Sequence, residues 1–323
     1  MSLSRREMLR NSVAAVAALI VPLPLGACGA AGEDPGDPPP PAGSTETPSY
    51  DPPAAEDAAR LREWSTTLRS EGLSDASVPL GLAAARVGEL AIGTPYEAFT
   101  LEAYLRAGGS PMRTEPLTLS LTRFDCVSLV ESCLAIARVA RADAEPGWDD
   151  YAREMERMRY RGGERAGYTS RLHYFSEWLT DGERRGLVRD LGSELGGRPD
   201  ERPLRFMSSN PESYPALAEP SVLEEIAEIE RNLDGQPRIV VPTAAIPEAD
   251  SSIQTGDILA FATAIEGLDV THSAFAYRDD EGVLRVLHAP LSGGVVEITR
   301  STLPEYVAAI RRSTGILVSR PIT

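Results

Sequence analysis

RFDCVSLVE, Arg123–Glu131, sets a thiol, Cys126, one residue after an aspartate, at the point where an apolar helical repeat begins. Asp125 is a favourable N-cap, and Cys126, Val130, Cys133 and Ala137 recur at i, i+4, i+7 and i+11, which predicts a helix running to about Ala140. A cysteine in a first helical turn has unpaired backbone N–H groups and the positive end of the helix dipole beside it, and both favour the nucleophilic thiolate. The same residue on a buried helix face would be ordinary core, so the surrounding sequence has to decide.

Upstream of this stretch, apolar residues at helical spacing predict helices from Ala55 to Ser70 and from Pro79 to Ala91, followed by the loop AIGTPYEAF. Downstream come a polar helix from Trp148 to Arg159, the aromatic stretch GYTSRLHYFSEWL and a long irregular segment to about Arg238. Glu224, Glu225, Glu228 and Glu230 read there as a solvated acidic helix face. The last third changes character: IVVP, GDILAFAT, THSAFAYR, VLRVLHAP, GVVEIT and GILVSRP are short β-branched runs, with RDDEG as a hairpin turn and a helix from Ser301 to Arg312 before the final strand. Helices first and a mostly antiparallel sheet last make an α+β fold.

With 323 residues, 42% hydrophobic and 25% charged, the chain has the composition of a globular protein with a sizeable core. A net charge of -16 argues against nucleic acid as a partner, since phosphate-tracking surfaces concentrate Lys and Arg. The N-terminus is basic at Arg5, Arg6 and Arg10 and apolar from Val13 to Leu25, too short to span a bilayer comfortably, and reads as an export signal. SRREML resembles a twin-arginine signal, and LGAC resembles a lipobox in which Cys28 is lipidated, so residues 1–28 are expected to be a signal peptide and the mature protein a membrane-anchored lipoprotein. Residues 29–54, rich in Pro, Gly and acid, are expected to be a disordered tether, with a reach of up to roughly 70 Å at about 3.1 Å per residue. The expected catalytic domain is 55–323, with an insert at about 145–238.

Of three cysteines, Cys28 is assigned to lipid, which leaves Cys126 and Cys133. Seven residues apart on a helix they are separated by about 10.5 Å of rise, beyond disulfide reach. Cys133, mid-helix, reads as core filler. Three histidines occur, and in a hairpin turning near Asp279 to Gly282 two of them, His272 and His288, come to the same end of neighbouring strands. Thiol, imidazole and a second imidazole are the parts of a nucleophile, a general base and an orienter; Asp257 or a backbone carbonyl would also serve as orienter.

Taken together, TPY (Tyr96), FDCVSLVE (Cys126), GDILAF (Asp257), THSAFAY (His272) and VLHAP (His288) resemble the NlpC/p60 papain-like cell-wall peptidases. FDCVSLVE, YTSRLHYFSEW, FMSSNPESYPAL and GLDVTHSAFAY are similar, more narrowly, to the N-acetylmuramoyl-L-alanine amidase-like branch. The resemblance spans roughly Arg86 to Pro321. It implies a papain-like fold, a Cys126–His272–His288 triad, and cleavage of the amide between N-acetylmuramic acid and L-alanine in peptidoglycan or muropeptides, without a cofactor. It also implies substrate contacts from Tyr96, Asp125, Ser170, Arg171 and His173. Stem-peptide cleavage between D-glutamate and diaminopimelate is the alternative within the same chemistry. Two further classes stay open: a zinc hydrolase, for which there is neither HExxH nor paired CxxC, and a non-catalytic binding lipoprotein.

Overall fold

Eight strands form among the described residues: β1 Val188–Asp190, β2 Arg198–Asp200, β3 Arg238–Pro242, β4 Ile258–Thr263, β5 Val270–Arg278, β6 Leu284–His288, β7 Glu297–Ile298 and β8 Ser313–Pro321. They join in one antiparallel sheet of order β2-β3-β8-β4-β5-β6-β7, with β1 also paired to β8. The longer helices are α1 Ala55–Ser70, α2 Leu80–Leu90, α3 Cys126–Val139, α4 Trp148–Arg159, α5 Phe175–Arg184, α6 Pro220–Leu233 and α7 Leu303–Ala309. This computed structural model describes residues 50–322 apart from Ser292 and Gly293; the expected signal, lipidation site and residues 29–49 of the tether lie outside them. Contacts divide the chain into Met1–Asp51 and a compact unit, Pro52–Thr323. No helix among the described residues is long and apolar enough to cross a membrane.

The period-2 alternation of strand side chains divides the core into two faces. Ile258, Ala260, Ala262, Phe275 and Leu287 pack with α1, α2 and α3, whereas Leu259, Phe261, Ala274, Val286 and Val318 pack on the other face with Leu303 and Val307 of α7. Because both faces are covered, β4 is buried throughout, and its sequence, ILAFAT, is a continuous apolar run. Small residues allow the layers to close: Gly256 has φ +87°, and a Cβ there would lie 1.9 Å from the Gly81 carbonyl oxygen, so α2 meets the entry to β4 backbone to backbone. The middle segment supplies a third cluster, in which Tyr168, Tyr174, Leu204, Met207, Leu217, Val222 and Ile226 pack together.

Three expectations are corrected. The last helix occupies only Leu303–Ala309 rather than Ser301 to Arg312: Thr302 caps it, Ile310 is extended and Arg312 has φ +64°, which stops the helical path. GVVEIT yields only the two-residue β7. Glu230 is not on a solvated face. Its side chain is fully buried and accepts hydrogen bonds from the Tyr174 hydroxyl (2.6 Å), Met207 N–H (3.1 Å) and Ser208 N–H (3.2 Å), so the acid satisfies orphan donors of the middle segment.

Candidate active site

Helix α3 begins at Cys126, and a reciprocal capping box holds its first turn. Ser128 N–H donates to Asp125 Oδ1 (2.7 Å) and Asp125 N–H donates to Ser128 Oγ (2.9 Å). Just upstream, Phe124 N–H donates to the Pro95 carbonyl and Glu97 N–H to that of Phe124, both at 3.0 Å. This short ladder lays Tyr96 beside the helix mouth. Burial, and then the charges of Cys126 and Asp125, raise the pKa of the Tyr96 phenol, so it stays a proton-bearing donor.

Cys126 is half-buried and free. Burial pushes its thiol up to about 11, with the Asp125 carboxylate adding to the effect; the Ser273 N–H and hydroxyl and the residue's own N–H pull the other way. The sequence expectation of a thiolate stabilised by the helix terminus is therefore corrected: desolvation of the charged form outweighs the helix donors, and the resting group is a thiol. Cys133, by contrast, is buried against α1, α2 and the sheet and carries no reactive geometry.

The two strand-end histidines meet as the spacing predicts, although not directly opposite one another. Phe275 pairs with Leu287, so the ladder runs Ala274 toward His288, two residues beyond His272, and the imidazoles bridge the diagonal with His272 Nε2 2.8 Å from His288 Nδ1. The hairpin turns through Gly282, whose N–H donates to the Asp279 carbonyl, as the sequence indicated. The His272 ring stacks on Phe261, and His288 is 1% exposed. Burial, joined by the neighbouring His288, lowers His272 to about 3, and burial lowers His288 to about 4, so both rings are neutral at pH 7. The hydrogen bonds of this pair run to each other and to the Tyr306 hydroxyl, 3.2 Å from His288 Nδ1. Asp257 is not part of this relay: both its oxygens are held by Arg320.

Cys126 and the imidazole relay approach the same strand end. The thiol lies against Ser273, the chain neighbour of His272, and its charge is felt by Tyr96 on one side and Tyr306 on the other. A partly buried thiol at a helix mouth and a hydrogen-bonded pair of neutral imidazoles, joined through shared neighbours Ser273 and Tyr306, are the parts needed for attack on a carbonyl with proton transfer to a ring nitrogen. Among the described residues no three His, Cys, Asp or Glu side chains converge as a metal-holding group.

Residues 86–316 match the family model described as N-acetylmuramoyl-L-alanine amidase-like, or AmiA-like. The chain belongs to that amidase-like family. Among solved structures it is similar to an N-acetylmuramoyl-L-alanine amidase from Bacteroides uniformis (31% identity over 76% of this chain and 99% of that one, TM-score 0.68). It is also similar to a Bacteroides fragilis protein described provisionally as a xylanase (34% identity, 72% and 98% coverage, TM-score 0.66). A Legionella pneumophila protein shares the fold at 16% identity over 83% of this chain and 95% of that one, with a TM-score of 0.59. No curated protein sequence matches the chain. The family gives this α+β protein a cell-wall amidase-like function, with hydrolase activity.

In this amidase-like protein the remaining expected contacts form a separate cluster. Arg171 already holds two carboxylates of its own chain, Glu102 (2.6 Å) and Glu115 (3.2 Å), and its guanidinium lies over the Tyr168 ring. His173 Nε2 is 2.9 Å from the Tyr168 carbonyl oxygen, and the Ser170 hydroxyl donates to the Gly167 carbonyl. These bonds make Ser170, Arg171 and His173 a braced wall rather than free grips. One link ties the wall to the relay: Asp269 Oδ2 accepts from Ser176 N–H in the first turn of α5 (2.8 Å), and Asp269 precedes His272 by three residues in the chain. Sequence reasoning missed the roles of Ser273 and Tyr306. Ser273 adjoins a candidate histidine, whereas Tyr306 carries no local signal.

Proposed function

We propose that this protein is an exported cysteine amidohydrolase of the NlpC/p60 papain-like type that cleaves the amide between N-acetylmuramic acid and L-alanine. The observation that carries the proposal is the hydrogen-bonded imidazole pair, His272 Nε2 to His288 Nδ1 at 2.8 Å, at the strand end where Cys126 meets Ser273; with Nε2 so engaged, Nδ1 is the His272 nitrogen left to take a proton from the thiol.

In the proposed cycle Cys126 Sγ attacks the lactyl carbonyl of the muramoyl amide as its proton passes to His272 Nδ1. The Cys126 backbone N–H and the Tyr96 hydroxyl are the donors available to the tetrahedral oxyanion. Collapse breaks the C–N bond, and His272 returns the proton to the leaving L-alanyl amine. Water, deprotonated by His272, then attacks the thioester; the C–S bond breaks, the sugar carboxylate is freed, and His272 returns the proton to the Cys126 sulfur. Because thiol and imidazole both rest neutral, the proton moves during attack rather than before it. A glycosidase reading, suggested by the Bacteroides fragilis neighbour, asks for a facing carboxylate pair; here Asp125 caps α3 and Asp257 holds Arg320, so that chemistry gains no support.

With this activity we propose residues 55–323 as the catalytic domain, carried by a lipid on Cys28 and a 29–54 tether into the periplasm or cell envelope. The test is digestion of purified peptidoglycan by the wild type and by Cys126→Ser, with the new ends identified by mass spectrometry. Free lactyl ends together with new L-alanine amino termini are expected from the wild type alone. New D-glutamyl carboxylates would assign the stem peptide instead, and identical digests would remove the enzymatic reading.

A further inference from the structure

Tyr306 stands where it controls the proton placement that the proposed chemistry needs. For His272 Nδ1 to accept a proton from Cys126, His272 must carry its own hydrogen on Nε2, and that hydrogen must meet a bare His288 Nδ1 at 2.8 Å. If His288 instead bore its hydrogen on Nδ1, it would donate to His272, which would then be protonated on Nδ1 and useless as a base.

Two side chains bear on that choice. Tyr306, on α7, brings its hydroxyl to 3.2 Å from His288 Nδ1; a phenolic O–H donated there shares the nitrogen's single lone pair with His272 Nε2–H and asks, as His272 does, for an unprotonated Nδ1. Across the β6–β7 ladder from His288, Glu297 holds Oε1 3.8 Å from His288 Nε2, a buried atom with no hydrogen-bond partner. A donor at Nδ1 and a carboxylate facing Nε2 favour the same tautomer, with the hydrogen on Nε2. The Tyr306 ring is fixed for this purpose, packed edge-on against both Phe261 and His288, with centroids 5.3 and 5.1 Å away.

We infer that Tyr306 is a positioning residue: its hydroxyl, acting through His288 Nδ1, selects the His272 tautomer that presents Nδ1 to the Cys126 thiol. The inference rests on the Cys126–His272 reading given under Proposed function. Glu297 supports the same tautomer from the opposite nitrogen.

The test pairs kinetics with nitrogen spectroscopy. With histidine-selective 15N labelling, three histidines give a countable spectrum, and His288 is assigned by loss of its signals in His288→Asn. In the resting wild type His288 Nδ1 is expected to resonate as an unprotonated nitrogen. Tyr306→Phe keeps the ring and removes one hydrogen bond; it is expected to lower kcat about tenfold with KM within twofold of wild type, and to move His288 Nδ1 toward a protonated or averaged shift. A protonated His288 Nδ1 in the wild type overturns the inference, whatever the variant does. So does an unchanged kcat in Tyr306→Phe, and so does a lower kcat with an unmoved nitrogen shift, which would make the residue packing alone. A wild type that cleaves no muropeptide would remove the hydrolase reading instead, and the resting nitrogen spectrum would still decide for or against Tyr306.

Discussion

The state of the Cys126 thiol gives the sharpest consequence of the site's electrostatics. With its pKa pushed to about 11 from an ordinary 9.0, about one molecule in ten thousand carries the thiolate at pH 7, some hundredfold fewer than for an ordinary thiol. Alkylating agents react with the thiolate, so iodoacetamide is expected to modify Cys126 about a hundredfold more slowly than an exposed cysteine at pH 7, with the rate rising about tenfold per pH unit from 7 to 10. Partial burial of Cys126 slows the reaction by the same factor at every pH, so the slope with pH reports the thiolate fraction, and Cys133 serves as a silent internal control. The Ser273 hydroxyl is buried without a hydrogen-bond partner in the resting site and is free to turn to a thiolate, so replacing Ser273 by Ala is expected to slow alkylation further, by about fivefold for a contribution near 1 kcal/mol. Peptide mapping after timed alkylation reads both effects at Cys126 itself. A reactivity plateau from pH 4 to 8, the mark of a preformed thiolate–imidazolium pair, would refute this account, because it would mean that the helix terminus outweighs burial.

Other consequences follow from the relay and its foundations. His272→Ala is expected to lower kcat by about 10²- to 10⁴-fold with little change in KM, measured by release of L-alanyl amines from a defined muropeptide; a loss under tenfold would remove His272 as general base. His288, held down to about 4 by burial, contributes stability that is present above an unfolded value near 6.5 and lost as pH falls through about 4. Urea melts should therefore show wild type losing about 1.4 kcal/mol per pH unit more than His288→Asn between pH 6 and 4, and parallel curves would contradict it. Beneath α3 the buried pair Glu131–Arg159 meets at 2.8 Å. Arg159→Met alone is expected to cost about 3–5 kcal/mol by stranding the carboxylate, while Glu131→Leu with Arg159→Met recovers most of it, as urea denaturation would show.

The parts of the fold that follow from local chemistry were legible in the sequence. Asp125, with Ser128 three residues on, encodes the α3 cap; the apolar repeat encodes the helix, the turn at Asp279 to Gly282 encodes the hairpin, and the 16-residue interval between His272 and His288 encodes their meeting. What escaped depends on distant contacts. Tyr306 joins the relay because α7 packs on β6 and β8 and sets the ring against Phe261 and His288, a packing event that leaves no trace in its immediate neighbours. Glu230 lies in line with Val222, Ile226 and Leu233 at helical spacing, so periodicity pointed inward, yet its charge argued for solvent until Tyr174 and two backbone N–H groups were found to need an acceptor. The Cys126 thiol shows the limit of motif reasoning in a different way: a helix mouth favours the anion, but its size against desolvation is set by residues far along the chain.

The central claim is that a covalent bond forms transiently between Cys126 and the muramoyl lactyl carbonyl. Acid-quenching the enzyme during turnover of a defined muropeptide and weighing the intact protein tests this directly. The account predicts an adduct on Cys126 with the mass of the muramoyl sugar and no peptide, absent from Cys126→Ser. Undiminished turnover by Cys126→Ser, with no adduct on the wild type, would contradict it.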